Sequence, residues 1–237
     1  MKTVTIISCL LFGFITFCSA QKTELRAELY SGIQGFSGNG TGKTTFMTFD
    51  SVFKGAFYTN HPFGKKAGAS IGAGLTFKII TKPGLFFSVS AAYEILKSSI
   101  ALDSVYEVGT TYKYYPATGK TSFRGNYLAF TPAIGYRFHV IGWPLDFSGG
   151  IAIARCLKTF ENADANANGK GYHYGKEGTH PAADIRPALN ATLVHKRMGY
   201  GIGYQWGIKN YYGQYIGGPQ PEAYSRFLKL GLSYRIK

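Results

Sequence analysis

The chain has 237 residues, among them 31 Gly, 18 Tyr and 18 Phe, and only 16% of it is charged, against about 25% in an ordinary soluble domain. Its formal net charge of +14 would ordinarily point to nucleic acid. The Lys and Arg residues are dispersed, however, and an export signal opens the chain, so the expected anionic contacts are outer-membrane lipids and lipopolysaccharide phosphates, with no nucleic acid.

The first residues are Met1-Lys2, an apolar run over 6–17, and then Cys18-Ser19-Ala20-Gln21. A positive start, about a dozen apolar residues and small residues before a cleavage point form a secretory signal peptide, expected over 1–20, with one β-barrel domain over 21–237. The run is shorter than the roughly 20 apolar residues a spanning helix needs. No later segment reaches that length either, so a helical membrane protein is excluded. Cleavage removes Cys9 and Cys18 and leaves Cys156 alone, so the mature chain forms no internal disulfide. A lipoprotein reading of Cys18 is disfavoured by the bulky Phe17 before it.

Eight stretches of alternating apolar and non-apolar residues follow, joined alternately by long and short links. The first, over about 25–36, sets Leu25, Ala27, Leu29 and Ile33 against Arg26, Glu28, Tyr30 and Gln34. A period of two places these sets on opposite faces, one suited to lipid and one to a polar interior. A long connection over 37–66 leads to strand two (67–80), with Ile71, Leu75, Phe77 and Ile79 outward and Ser70, Thr76 and Lys78 inward. Thr81-Lys82-Pro83-Gly84 reads as a tight type II turn on its Pro-Gly pair. Strand three (85–96) turns Phe87, Val89 and Tyr93 outward and Ser88, Ser90 and Glu94 inward.

After a second long connection, over 97–125, strand four (126–138) points Leu128, Phe130, Ile134 and Tyr136 outward and Arg137 inward. Pro132 lacks a ladder donor, so a bulge is expected there. Trp143 lies in a short link, at the membrane boundary. Strand five (145–154) turns Asp146 inward, and a third long connection covers 155–181. Strand six (182–195) has Asp184 and Arg186 inward; Lys196-Arg197-Met198 is a compact turn. Strand seven (199–210) sets Tyr200, Ile202, Tyr204 and Trp206 against glycines and Gln205, and strand eight (224–236) sets Leu228, Leu230, Leu232 and Tyr234 against Lys229 and Arg235.

The expected fold is therefore all-β: an eight-stranded antiparallel up-and-down transmembrane β-barrel. An even strand count puts both termini and the short turns on the periplasmic side of an outer membrane and the long loops outside. Closure leaves no unpaired edge in lipid. Its interior set is Arg26, Glu28, Lys78, Glu94, Arg137, Asp146, Asp184, Arg186, Lys229 and Arg235. An eight-strand bore is just wide enough for side chains to fill, so these charges of mixed sign are expected to plug it.

Other motifs lead to no chemistry. Ser37 to Thr44 nearly spells a phosphate-binding loop but starts with Ser rather than Gly and precedes a strand-like Thr45-Phe46-Met47-Thr48-Phe49, so it reads as a flexible loop. Asp164, Asn166, Asn168 and Gly169 match the first half of a calcium loop, whose twelfth position is Gly175 rather than Glu. His173 and His180 share a loop with Asp164 and Glu177, yet no histidine pair has metalloprotease spacing. No catalytic residue, metal or cofactor is expected. Aromatics on the long connections, among them Phe46, Phe49, Phe53, Phe57, Tyr58, Tyr106, Tyr112, Tyr114, Tyr115, Tyr172, Tyr174, Tyr211, Tyr212 and Tyr215, suit exposed loops that bind a protein or glycan.

The Ser19-Ala20-Gln21 signal ending, the central stretch from Tyr127 through Pro132 and Arg137 to Phe138, and the C-terminal Leu230-Gly231-Leu232-Ser233-Tyr234-Arg235-Ile236 resemble the outer membrane β-barrel domain proteins of Bacteroidetes, the PorT-like group. The resemblance spans the mature chain. It implies a monomeric barrel of about eight strands, without known catalysis, inserted by the barrel assembly machinery. Two departures stand out: the chain ends Ile236-Lys237 where such barrels usually end in an aromatic, and Phe130-Thr131-Pro132 replaces a more acidic or aliphatic lead-in. The expected function is non-enzymatic, in envelope structure or surface-loop binding. The alternatives are a narrow pore for small solutes and an outer-leaflet lipid-modifying enzyme.

Overall fold

The computed structural model describes residues 22–50, 57–60, 62–109, 111–178, 183–212 and 220–237; the expected signal peptide lies outside them. The described residues form a single sheet of eleven strands: β1 (Lys22–Ser37), β2 (Thr44–Asp50), β3 (Phe57–Thr59), β4 (Lys66–Ile80), β5 (Leu85–Val108), β6 (Tyr112–Val140), β7 (Trp143–Ala167), β8 (Lys170–Glu177), β9 (Ala183–His195), β10 (Met198–Trp206) and β11 (Tyr224–Arg235). Eight of them pair in a closed cycle, β1-β4-β5-β6-β7-β9-β10-β11 and back to β1, every pairing antiparallel. The cycle converts alternation along each strand into two continuous surfaces. Leu29, Leu75, Val89, Phe130, Ile151, Leu189, Ile202 and Leu230 are all exposed on the outer wall, while Arg26, Lys78, Glu94, Arg137, Asp146 and Arg186 are buried inside.

The sheet exceeds the expected eight strands because the long connections are themselves largely strand. β5 and β6 continue past the ring as one hairpin to Val108 and Tyr112. β7 runs on to Ala167 and folds back as β8. β2, inside the first long connection, pairs parallel with β5, and β3 pairs with β2, so the sheet is not wholly antiparallel. This extension has its own apolar core, built on Met47, Leu102, Val105, Ala163, Ala165 and Tyr172. The rows of alternating residues there are short and rich in Ala, Thr and Asn, which hides them within polar sequence; pairing to the rising ends of β5 to β7 makes them strands.

Several local readings change. Pro132 lies in unbroken register: Phe130 faces Ile153 and Ala133 faces Gly150, with no bulge between. The missing donor falls where the β6–β7 ladder simply skips a pairing. The irregularity in that ladder comes instead between Asn126 and Tyr127. The turn after β4 closes from the Gly84 N–H to the Thr81 carbonyl at 3.1 Å, with Gly84 at φ +99, so Pro83 and Gly84 take the third and fourth positions rather than the centre of a type II turn. The calcium-like Asp164 to Gly169 segment is the end of β7 and a two-residue hairpin, with Asn168 at φ 49 and Gly169 at φ 72, the Asn-Gly geometry that right-twisted hairpins favour. Ser37 to Thr44 joins β1 to β2 with no helix after it.

The β6–β7 turn uses Ile141-Gly142, with Ile141 at φ 52. A β-branched side chain is strained in the left-handed region, and Ile141 is 97% exposed, so burial returns nothing. Ile141→Asn is therefore expected to stabilise the fold by about 1 kcal/mol. A higher urea midpoint for the variant is the check; an unchanged or lower midpoint would remove strain at Ile141 from the account.

Candidate functional site: a doubly plugged interior and its outer extension

Two separate ion-pair networks fill the closed ring. At the end carrying the short turns, Glu24 is fully buried and accepts from three arginines: Arg26 Nη2 at 2.9 Å, Arg137 Nη1 at 3.0 Å and Arg235 Nη1 at 3.4 Å. Arg137 then forks onto Asp146, with Nε to Oδ1 at 2.6 Å and Nη2 to Oδ2 at 2.8 Å. Lys78 Nζ reaches Asp146 Oδ2 at 2.6 Å and stands 4.2 Å from the centre of the Phe86 ring. Arg26 also donates to Ser233 Oγ at 3.3 Å. β1, β4, β6, β7 and β11 are thus tied together across the lumen. A planar guanidinium meeting two carboxylates satisfies its fixed donors in a way an ammonium does not.

Toward the other end, Arg186 donates to Glu94, whose second oxygen accepts from Tyr30 OH at 2.8 Å. Asp184 accepts from Tyr211 OH and Ser225 Oγ, each at 2.8 Å, and lies 3.5 Å from Arg186 Nε. Tyr211 OH also meets Tyr127 OH at 3.0 Å. Lys229 Nζ sits 4.7 Å above the Tyr30 ring. Beyond this network Phe36, Phe63, Phe123 and Tyr211 pack edge to face or, for Phe36 and Phe63, tilted, with ring centres 4.9 to 6.4 Å apart, and cap the lumen with an aromatic layer. Between the networks a cavity of about 100 Å³ remains, lined by Glu28, Ser88, Ser90, Thr131, Asn190 and Lys229 among others. Such a hydroxyl-lined space suits a few water molecules.

Interior glycines make the room these side chains need. A Cβ on Gly72 would lie 2.3 Å from the Tyr30 ring, and one on Gly135 2.3 Å from the Phe86 ring.

Of the ten charged residues the alternation puts on the non-apolar face, Arg26, Lys78, Arg137, Asp146 and Arg235 meet in the first network, and Glu94, Asp184 and Arg186 in the second, with Lys229 beside it. Glu28 lines the cavity. Glu24, the hub of the first network, lies one residue before the alternation that begins at Leu25, and its parity with Arg26 and Glu28 is the sequence signal for its inward side chain. Tyr211, read as an exposed loop aromatic, is buried beside Asp184. Tyr172 is likewise buried, whereas Tyr58, Tyr112 and Tyr114 are exposed. Phe53 and Tyr215 lie outside the described residues.

No group of three or more His, Cys, Asp or Glu among the described residues is arranged to hold a metal ion. His173 Nδ1 and Asp164 Oδ1 lie 2.7 Å apart on the exposed face of the β7–β8 hairpin, and His180 is outside the described residues. Cys156 is a buried free thiol.

The outer extension contains one acid out of keeping with its surroundings. Glu161 faces Phe123 and Lys176 across its two ladders, and its Oε1 is buried with no hydrogen-bond partner among the described residues. Burial pushes its carboxyl up to about 7 against the pull of Lys176. A raised acid keeps its proton in the folded state while the unfolded chain ionises, so stability is greatest below about 4.5, falls as pH rises toward 7, and is flat above. Glu161→Gln is expected to abolish that decline and to stabilise the fold by about 2 kcal/mol at pH 8. Urea titrations at pH 5 and pH 8 measure it; a variant parallel to the parent at both would refute the assignment.

No protein-family model and no curated relative matches the chain. It is similar to solved structures at low identity. The Neisserial surface protein A is 11% identical, with 92% of this chain and 100% of that chain covered at a TM-score of 0.38. Ail, the attachment invasion locus protein of Yersinia pestis, is 8% identical, with 91% and 99% covered at 0.37. The translocator domain of the autotransporter NalP from Neisseria meningitidis is 9% identical, with 99% and 96% covered at 0.23.

Proposed function

We propose that the protein is a non-enzymatic outer membrane β-barrel of eight transmembrane strands, closed by its own interior ion pairs, whose role is passive: it anchors in the envelope and presents its outer extension as a contact surface. In this reading residues 1–20 are a cleaved export signal and 21–237 the barrel domain. Termini and short turns face the periplasm, and the extension faces outward. The barrel works as a monomer and is inserted by the barrel assembly machinery. The resemblance to the PorT-like group agrees with this.

One observation carries the reading. The outer wall of a ring without free edges exposes large apolar side chains on every strand, including Phe77, Tyr93, Leu128, Phe147, Leu189, Tyr204 and Leu232, far more apolar surface than a soluble monomer leaves in water. The same ring turns its charges inward, the inverse of a soluble barrel and the arrangement a bilayer requires. The two networks argue against the pore, because each crosses the lumen.

Two measurements test it together. Carbonate-resistant recovery in the outer membrane fraction, with silent planar bilayers, is the expected result. Recovery as a detergent-free soluble monomer would overturn the membrane reading, and open single-channel events that vanish on interior substitution would replace the plug with a pore. A change in lipid A acylation or phosphorylation that depends on the protein would instead establish the enzyme.

A further inference from the structure

The outer wall changes character where four adjacent strands leave the apolar band, with Lys97 opposite Arg124 and Lys158 opposite Asn126 two residues further along β6, while Arg155 sits lower, opposite Leu128. On β5 Tyr93 and Ile95 give way to Lys97; on β6 Leu128 gives way to Arg124; on β7 Ile153 is followed by Arg155, Leu157 and Lys158; β4 begins with Lys66. Lys66, Lys97, Arg124 and Arg155 are exposed. Lys97 and Arg124 are direct partners in the β5–β6 ladder, a like-charge pairing that is destabilising unless something neutralises it. Arg124 and Lys158 both approach the Phe160 ring, at 5.8 and 4.8 Å from its centre. Glu177, 2.8 Å from Lys158, is the one carboxylate among the described residues paired with any of these five cations. Higher on the same face the charge is balanced: Lys120 is opposite Asp164, which holds His173.

We propose that this patch binds the phosphate group of a lipid headgroup in the leaflet at the extension end of the barrel. The inference rests on the membrane-spanning reading. Lys97 lies four residues beyond Tyr93, about 13 Å along the strand, where long basic side chains reach from the edge of the hydrocarbon to the headgroups. A phosphate monoester with more than one negative charge matches the unneutralised Lys97–Arg124 pair, and the planar guanidinium supplies two parallel donors to its oxygens. Leu157, exposed beside Lys158, offers apolar contact to an acyl chain below the same headgroup.

The test uses the full chain purified in dodecyl maltoside, with diphosphoryl lipid A, its dephosphorylated form and inorganic phosphate as probes. The expected result is binding of diphosphoryl lipid A that weakens at least tenfold in Lys97→Gln/Arg124→Gln/Lys158→Gln and persists in Lys43→Gln/Lys120→Gln/Lys170→Gln, which removes the same charge elsewhere. Equal weakening in both triple variants, equal binding of the dephosphorylated lipid, or displacement by inorganic phosphate at the same concentration as the lipid would each overturn it. The substituted side chains are exposed or half-exposed, and the heat-modifiable gel shift of a folded barrel confirms that each variant is intact. A protein soluble without detergent refutes the membrane reading itself; a detergent-requiring barrel that ignores the lipid refutes only this site.

Discussion

Replacing Arg137 by Met is expected to destabilise the protein by about 3–5 kcal/mol, the cost of breaking a buried pair by removing one partner. Arg137 joins Glu24 to Asp146 across the short-turn end of the lumen, and both carboxylates are buried. Glu24 keeps Arg26, and Asp146 keeps Lys78, so the variant still folds with each acid partly compensated. The bidentate contact and the link between the two acids are lost. Adding Asp146→Asn to Arg137→Met should cost less than the two changes summed, because the second removes a charge the first has stranded. Urea midpoints of the four members of this cycle measure it. Additive costs would show that Arg137 and Asp146 act independently, and a loss below 1 kcal/mol for Arg137→Met would place the pair in a solvated lumen rather than a dry plug.

The second large effect comes from packing. Gly72→Val is expected to cost about 3 kcal/mol, at the upper end of overpacking in a closed core, because its Cβ would overlap the Tyr30 ring. Phe227 lies 6.3 Å from it, ring to ring, and Lys229 covers its face. Displacing Tyr30 also removes the hydroxyl that donates to Glu94, leaving a buried carboxylate oxygen short of a donor. Ala73→Val, one residue along and exposed on the outer wall, is the internal comparison and should shift stability by less than about 0.5 kcal/mol. If the two variants melt together, the interior at this level is loose and the second network is not a packed plug.

Both predictions depend on the division of each strand into two faces, which was legible from the residues. Alternation at Leu29, Leu75, Val89, Phe130, Ile151 and Leu230 is a local property, since successive side chains of an extended chain point to opposite sides whatever surrounds them. So was the closing of eight strands, because eight alternating stretches leave no unpaired edge only when the last pairs with the first. Less was readable where neighbours outvote local character. The Thr, Asn and Ala residues of 159–167 look like loop, yet they are strand because β6 and β8 flank them. Pro132 suggested a bulge, and the ladder absorbed it by omitting a pairing.

The amino-acid order by itself determined which side chains line the wall and which turn inward, because that follows from the two-residue repeat of an extended backbone. Only the tertiary structure decided which inward charges meet: Glu24 with Arg137, 113 positions apart, Arg186 with Glu94, 92 apart, and Tyr211 drawn from a loop onto Asp184. Those partners depend on strand register and on the height each residue reaches in the ring. Both are set by the closure of all eight strands at once and by no single segment.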